Sequence, residues 1–213
     1  MKYVDYEIMT GLENMQIDEN LLNQSIQTKS KEPIFRLYGW KPACISLGRN
    51  QKDEFLDYEL LKSLNIDVVR RLTGGRALLH DEELTYSFIC PVEYLEHGEN
   101  VTTSYKEICQ ILIEKFKTLG IELTLGGEKA VRTKFDYCMM VSTGADLCYQ
   151  GKKLIGSAQL RKNGYILQHG SILFDYDKEL LTKIFGSEPS GITCLKEINP
   201  NLTRENLILH LLK

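Results

Sequence analysis

The sequence predicts an α+β protein with a mixed, largely antiparallel sheet or sheets flanked by helices. Three observations lead there. Strand-like stretches come in blocks joined by tight turns, and helical stretches fall between blocks rather than after each strand. The 213 residues also suffice to bury a sizeable core. Hydrophobic residues make up 43% of the chain and charged residues 26%, an ordinary globular balance. Repeats, low-complexity tracts and Pro/Gly/Ser-rich linkers are absent, and a chain of this length makes one large domain or two small ones.

Residues 12–28 read as an amphipathic helix with Leu12, Met15, Leu22 and Ile26 on one face. "PIFRLYGW" and "PACISLGRN" read as two short strands joined around Gly39–Pro42. A helix in "EFLDYELLKSLN", a β-branched strand in "IDVVRR", and strands in "ALLHD" and "LTYSFICPV" follow. "VTTSYKEICQILIEKFKTLG" is the clearest helix and ends on Gly120, a suitable left-handed cap. Beyond "IELTL" and a polar stretch through Lys134, "YCMMVST" reads as a strand. Gln150-Gly151 and Asn163-Gly164 punctuate hairpins, the second with the type I′ dipeptide. Helices over 177–185 and 203–212 close the chain, the latter capped by Thr203.

The net charge of −3 gives no whole-chain basic excess, so no nucleic-acid partner is expected. No apolar run approaches the roughly 18–20 residues that span a bilayer. The start shows no secretory leader, so a cytoplasmic location without membrane association is expected. None of the six cysteines lies in a CxxC or Cys/His zinc pattern, and no metal site is expected. Scattered thiols of this kind are mostly small buried hydrophobes, with at most one chemical group among them.

Three segments could carry chemistry. In "RRLTGGRALLHDEELTYS", Thr73-Gly74-Gly75 lets the backbone approach a ligand closely, though an isolated Gly-Gly is read first as a plain tight turn between strands. It lacks the Gly-Lys-Ser/Thr of a P-loop and the helix of a dinucleotide fingerprint. In "GKKLIGSAQLRKNGYILQHGSIL", Lys153 stands in an apolar strand next to the small residues Gly156, Ser157 and Ala158, which leave room for a substrate. His169 in the same segment is read first as a hydrogen-bonded sheet residue. Cys138 stands fifteen positions before Lys153. A nucleophilic thiol there would need a lowered pKa, which a nearby ammonium can supply.

Together these segments resemble the biotin/lipoate protein ligase superfamily over nearly the whole chain. "GLENMQIDENLL" is similar to the family's first helix, and "FRLYGWKPACISLGRNQ" to its paired strands ending in Ser-Leu-Gly-x-x-Gln. ATP-using lipoate ligases tend to carry a third glycine and an HD-x-GN continuation. Here Arg76 and "HDEELTYS" stand instead, which resembles the cysteine-dependent octanoyltransferases of the Gram-positive type. That subgroup has a nucleophilic cysteine at the spacing of Cys138 and Lys153. Cys148, the nearest other thiol, falls where the family shows no fixed cysteine. Met139 departs from the subgroup's usual Phe; the sequence is shorter than most members at its C-terminal end, and no ligase accessory domain is expected.

The resemblance implies a single acyltransferase catalytic domain over residues 1–213 with a biotin/lipoate-ligase fold. Its expected reaction carries octanoyl from acyl carrier protein to a lysine of lipoyl domains, those of 2-oxoacid dehydrogenases or the glycine-cleavage H protein. Cys138 is the expected nucleophile and Lys153 its stabiliser. His80 is expected to move protons, backbone N–H groups near Gly156, Ser157 and Ala158 to stabilise the developing oxyanion, and His169 to join the substrate-binding residues. Thr73, Gly74, Gly75 and Arg76 would wall the acyl chain, with Leu72, Ala77 and Leu78 as apolar lining. Arg70 and Arg71 would meet the carrier's phosphate or acidic surface, or close the strand with an ion pair. A thioester is already activated, so neither nucleotide nor other cofactor is expected. The alternatives are an ATP-dependent lipoate–protein ligase catalytic domain, an amidotransferase between lipoyl domains, and a non-catalytic carrier-binding protein.

Overall fold

A computed structural model of the chain describes residues 1–127, 137–140, 144 and 146–213. Its larger sheet has seven strands, in the spatial order β1 (Lys2–Met9), β2 (Ile34–Trp40), β6 (Glu83–Pro91), β10 (Tyr165–Leu173), β9 (Lys152–Lys162), β8 (Leu147–Tyr149) and β7 (Thr124–Leu125). A three-stranded sheet holds β4 (Asp67–Arg70), β3 (Cys44–Leu47) and β5 (Leu78–His80) in that order. The β1–β2 and β3–β4 pairs are parallel and the other named pairs antiparallel. The mixed, largely antiparallel expectation therefore holds. β2 and β3 do not pair with each other: β2 lies between β1 and β6, β3 between β4 and β5. The turn at Gly39–Pro42 passes the chain from one sheet to the other, which corrects the expected paired strands.

Both predicted hairpin turns form. Gln150 and Gly151 have φ of 48° and 78°, and Asn163 and Gly164 have 49° and 79°. Two successive positive φ values match the right-handed twist of the flanking strands. Side chains alternate along each strand of the larger sheet. Phe35, Phe88 and Ile166 therefore enter the main core, while their neighbours Ile34, Ile89 and Leu167 meet Leu22 on the opposite face.

That opposite face is covered by α1 (Gly11–Thr28), whose capping box joins Thr10 and Glu13. Leu12 was expected on the inner side but is 61% exposed. The buried stripe of α1 is instead partly polar, with Asn14 and Asp18 beside Met15 and Leu22. The reason lies across the interface, where the buried Arg36 of β2 needs acceptors. It donates to Asp18 Oδ1 at 2.9 Å and Asn14 Oδ1 at 2.7 Å.

The main core receives Ile108, Leu112 and Phe116 from α3 (Val101–Lys117), Leu181 from α4 (Lys178–Phe185) and Leu207 from α6 (Arg204–Leu211). α2 (Tyr58–Ser63) and α5 (Leu195–Ile198) are short. Residues 138–140 form a 3₁₀ turn rather than part of a strand. Residues 141–143 of the expected strand, and most of the polar stretch before it, lie outside the described residues. Among the described residues, no helix is long and apolar enough to cross a membrane.

Candidate active site

The α1-facing side of β10 carries His169 and Ser171 two and four residues beyond Leu167. Above them opens a cavity whose other walls come from both sheets, α1 and the 138–140 turn. Met15, Tyr38, Trp40 and Leu78 supply apolar lining; Ser46, Arg71, His80 and Thr85 supply polar groups. Gly75, Cys138, Gly156, Ser157, Ala158 and Gly170 complete its border. Cys138, the two histidines and the small-residue strand, read from segments far apart in sequence, thus share one cavity.

Cys138 hangs on a backbone bond from its N–H to the carbonyl of Ala77, 2.8 Å. Lys153 lies behind Gly156, fully buried. Its Nζ donates to the Cys138 carbonyl at 3.1 Å and pairs with Asp146 at 3.1 Å. The ammonium therefore grips the main chain that presents the thiol. A Cβ on Gly156 would sit 2.8 Å from Met139 Sδ and 2.9 Å from Lys153 Cε, so glycine is required for the lysine to lie there. Gly156, Ser157 and Ala158 pair with Ser171, Gly170 and His169 on β10.

The two arginines organise loops. Arg71 is buried and donates to Ser46 O (2.7 Å), Gly74 O (2.9 Å) and Arg76 O (2.7 Å). This clamps the 74–76 loop against β3, where Gly75 takes φ of 96°. Burial lowers the Arg71 pKa, while its guanidinium lies within electrostatic reach of Cys138. Arg70 is exposed and donates to Gly48 O and Gln51 O at 2.8 and 2.7 Å. A Cβ on Gly48 would collide with the Gly75 carbonyl, so the two loops stack backbone on backbone. Leu78 lines the cavity, whereas Ala77 belongs to the main core and Leu72 packs on the smaller cluster under α1.

Each histidine stands between a hydroxyl and a carboxylate. His169 meets Thr73 Oγ1 at 2.7 Å through Nε2 and Asp18 Oδ2 at 3.6 Å through Nδ1. Burial pushes the Asp18 carboxyl up, but the hydrogen bond from His169 and the charge of Arg36 outweigh it and hold it below its ordinary value. His80 meets Ser46 Oγ at 2.8 Å through Nε2 and Glu83 Oε1 at 3.1 Å through Nδ1. Burial pushes the His80 imidazole below its ordinary pKa, against the pull of Glu83. Ser46, Glu83, Asp18 and Asp146 went unremarked in the sequence. Ser46 sits inside the quoted "ISLGRNQ", but a strand serine carries no local mark of a partner thirty-four residues away.

The six thiols divide sharply. Cys138 is half-buried, and the other five are buried. Burial pushes the thiols of Cys44, Cys90 and Cys109 up to about 12. Iodoacetamide at pH 8 is therefore expected to modify the native protein once, at Cys138, with the other thiols reacting only after unfolding. Peptide mass mapping checks this; early labelling of Cys44 or Cys109 would overturn the assigned burial.

Both sheets thus wall one partly apolar cavity bordered by a thiol turn that a buried lysine grips. Residues 10–213 match the model of the lipoyl protein ligase A/B catalytic domain, and the chain belongs to that family. It is 38% identical over 192 residues to the octanoyltransferase LipM of Geobacillus kaustophilus, covering 86% of this chain and 69% of that protein. Identity to the LipM of Carboxydothermus hydrogenoformans is 37% over 184 residues, covering 86% and 68%. Among solved structures, a T. acidophilum protein described as a lipoate protein ligase, with bound lipoic acid, superposes with a TM-score of 0.79. That match covers 99% of this chain and 81% of the other at 20% identity, a likeness of fold.

Proposed function

We propose that the protein transfers an octanoyl group from acyl carrier protein to a lysine of a lipoyl domain, through an acyl-enzyme on Cys138. One observation carries the mechanism: the half-buried cysteine among the six borders the cavity. Moderate identity to the octanoyltransferases over most of the chain supports the acyl group and the reaction. The acceptors in view are lipoyl domains of 2-oxoacid dehydrogenases and the glycine-cleavage H protein, and the proposed location is the cytoplasm.

In the first half-reaction the Cys138 sulfur attacks the thioester carbonyl. The new C–S bond forms, the bond to the carrier's pantetheine sulfur breaks, and that sulfur takes up the proton given up by the Cys138 thiol. In the second, the lysine amine attacks the acyl-cysteine, a C–N bond forms, and Cys138 is released. Met15, Tyr38, Trp40 and Leu78 hold the hydrocarbon chain. Arg71 places positive charge near the sulfur, and Lys153 fixes the main chain from which it projects. His80 is the proton carrier. Thr73, Gly74, Gly75 and Arg76 shape the mouth, and the exposed Arg70 beside it faces the anionic carrier. Neither step consumes a nucleotide, because the thioester supplies the activation.

The test is direct. Octanoyl-carrier protein should add one octanoyl group to the enzyme by intact mass, and a lipoyl domain should then discharge it. Pyrophosphate release with lipoate and ATP, without an acyl-enzyme, would select the ligase alternative. Acyl-lipoyl domain acting as donor would select the amidotransferase, and carrier binding without acylation the non-catalytic reading.

A further inference from the structure

The geometry points to Ser46, His80 and Glu83 as a hydroxyl–imidazole–carboxylate relay that takes the proton from the attacking lysine amine, with Ser46 as the group that touches it. The inference rests on the acyl-enzyme reading above and assigns a residue that reading leaves idle.

The amine half-reaction needs a base. A thiolate is favoured by any positive neighbour, and Arg71 lies near Cys138. An attacking amine gains nothing from positive charge, since it must shed a proton as the amide forms. Lys153 cannot receive that proton, because its ammonium is held by the Asp146 carboxylate at 3.1 Å. The basic groups on the cavity wall are then His80 and His169.

Their carboxylates separate them. Asp18, behind His169, is already paired with Arg36 at 2.9 Å, so little negative charge remains to support an imidazolium. Glu83 has no arginine or lysine within salt-bridge distance among the described residues. It accepts from Thr85 Oγ1 at 2.7 Å and meets His80 at 3.1 Å, and its Oε2 has no hydrogen-bond partner among the described residues. The groups bearing electrostatically on His80 are Glu83, which favours its charge, and Arg71 and His169, which oppose it. The ring is stacked on Trp40 at 3.8 Å, which fixes its plane.

Hydrogen directions follow from the donor inventory. A carboxylate only accepts, so Nδ1 carries the hydrogen and Nε2 accepts from Ser46 Oγ. A hydroxyl has one hydrogen and two lone pairs. The hydrogen goes to His80, one lone pair takes Arg71 Nη1 at 3.2 Å, and the second is left for the substrate. As the C–N bond forms and the C–S bond to Cys138 breaks, the amine proton passes to Ser46 Oγ and the hydroxyl's own proton to His80 Nε2. The imidazolium so formed is balanced by Glu83 and returns its proton to the released Cys138 sulfur.

The experiment loads the full chain with octanoyl-pantetheine and follows discharge to a lysine peptide from pH 7 to 10. For Ser46→Ala, discharge at pH 7, started from enzyme already carrying octanoyl, is expected to slow at least about 100-fold relative to wild type, the usual scale of general-base catalysis. The deficit should shrink toward pH 10, because hydroxide then takes the amine proton in place of the relay. Equal discharge, or a deficit constant with pH, overturns the relay. Imidazole nitrogen NMR at pH 7 gives an independent reading, with His80 expected neutral and protonated on Nδ1. The Nε2–H tautomer overturns the relay whatever the acyl chemistry. Failure of wild type to load would count against the acyl-enzyme alone, and the tautomer would still decide the relay.

Discussion

Cys138→Ala is expected to abolish the acyl-enzyme and to lower transfer to a lipoyl domain by roughly 10⁴–10⁶-fold, the scale seen when a covalent nucleophile is removed. The fold should survive, because the anchoring bond runs from the Cys138 N–H to Ala77 O and does not involve sulfur. Cys138→Ser should be nearly as inactive, since a hydroxyl ionises far less readily than a thiol. Single-turnover transfer, with intact mass for the intermediate, measures both. Transfer by Cys138→Ala at a rate near wild type would mean that the amine attacks carrier-bound thioester directly.

The second large effect concerns Lys153. Lys153→Met leaves Asp146 as a buried carboxylate without its ammonium, and breaking one side of a buried ion pair costs about 3–5 kcal/mol. It also removes the donor to the Cys138 carbonyl. Lost activity alone would not separate these effects. The double variant Lys153→Met/Asp146→Leu replaces both charges by apolar groups and should recover most of the stability in urea melts. If Lys153 acts by holding the thiol turn, loading of the double variant stays slow, with a reduced maximal rate rather than weaker donor binding. Restored loading would reduce the lysine to a structural role.

The sequence made local structure visible wherever local chemistry decides it. The Gln150-Gly151 and Asn163-Gly164 turns need φ > 0 and advertise it, and α3 shows its buried face at Ser104, Ile108, Leu112 and Phe116. β1 left no such mark: it is an edge strand, mostly exposed, and in its parallel pairing with β2 Lys2 meets Ile34, 32 positions along the chain. The 138–140 turn reads as a strand because its residues are apolar, but Met139 is buried where Gly156 and Lys153 make room for it. Of the cavity, Cys138, His80, His169 and the small residues of β9 were legible. The carboxylates Asp18, Glu83 and Asp146 were not, because each is defined by a partner on another strand or helix.

β10 lies between β6 and β9, although it follows all the other strands in the chain. Until residues 165–173 are made, the β1–β2–β6 half and the β9–β8–β7 half have no strand to join them. His169 and Ser171 arrive on that joining strand. A nascent chain therefore cannot complete the cavity wall before residues 165–173 are made.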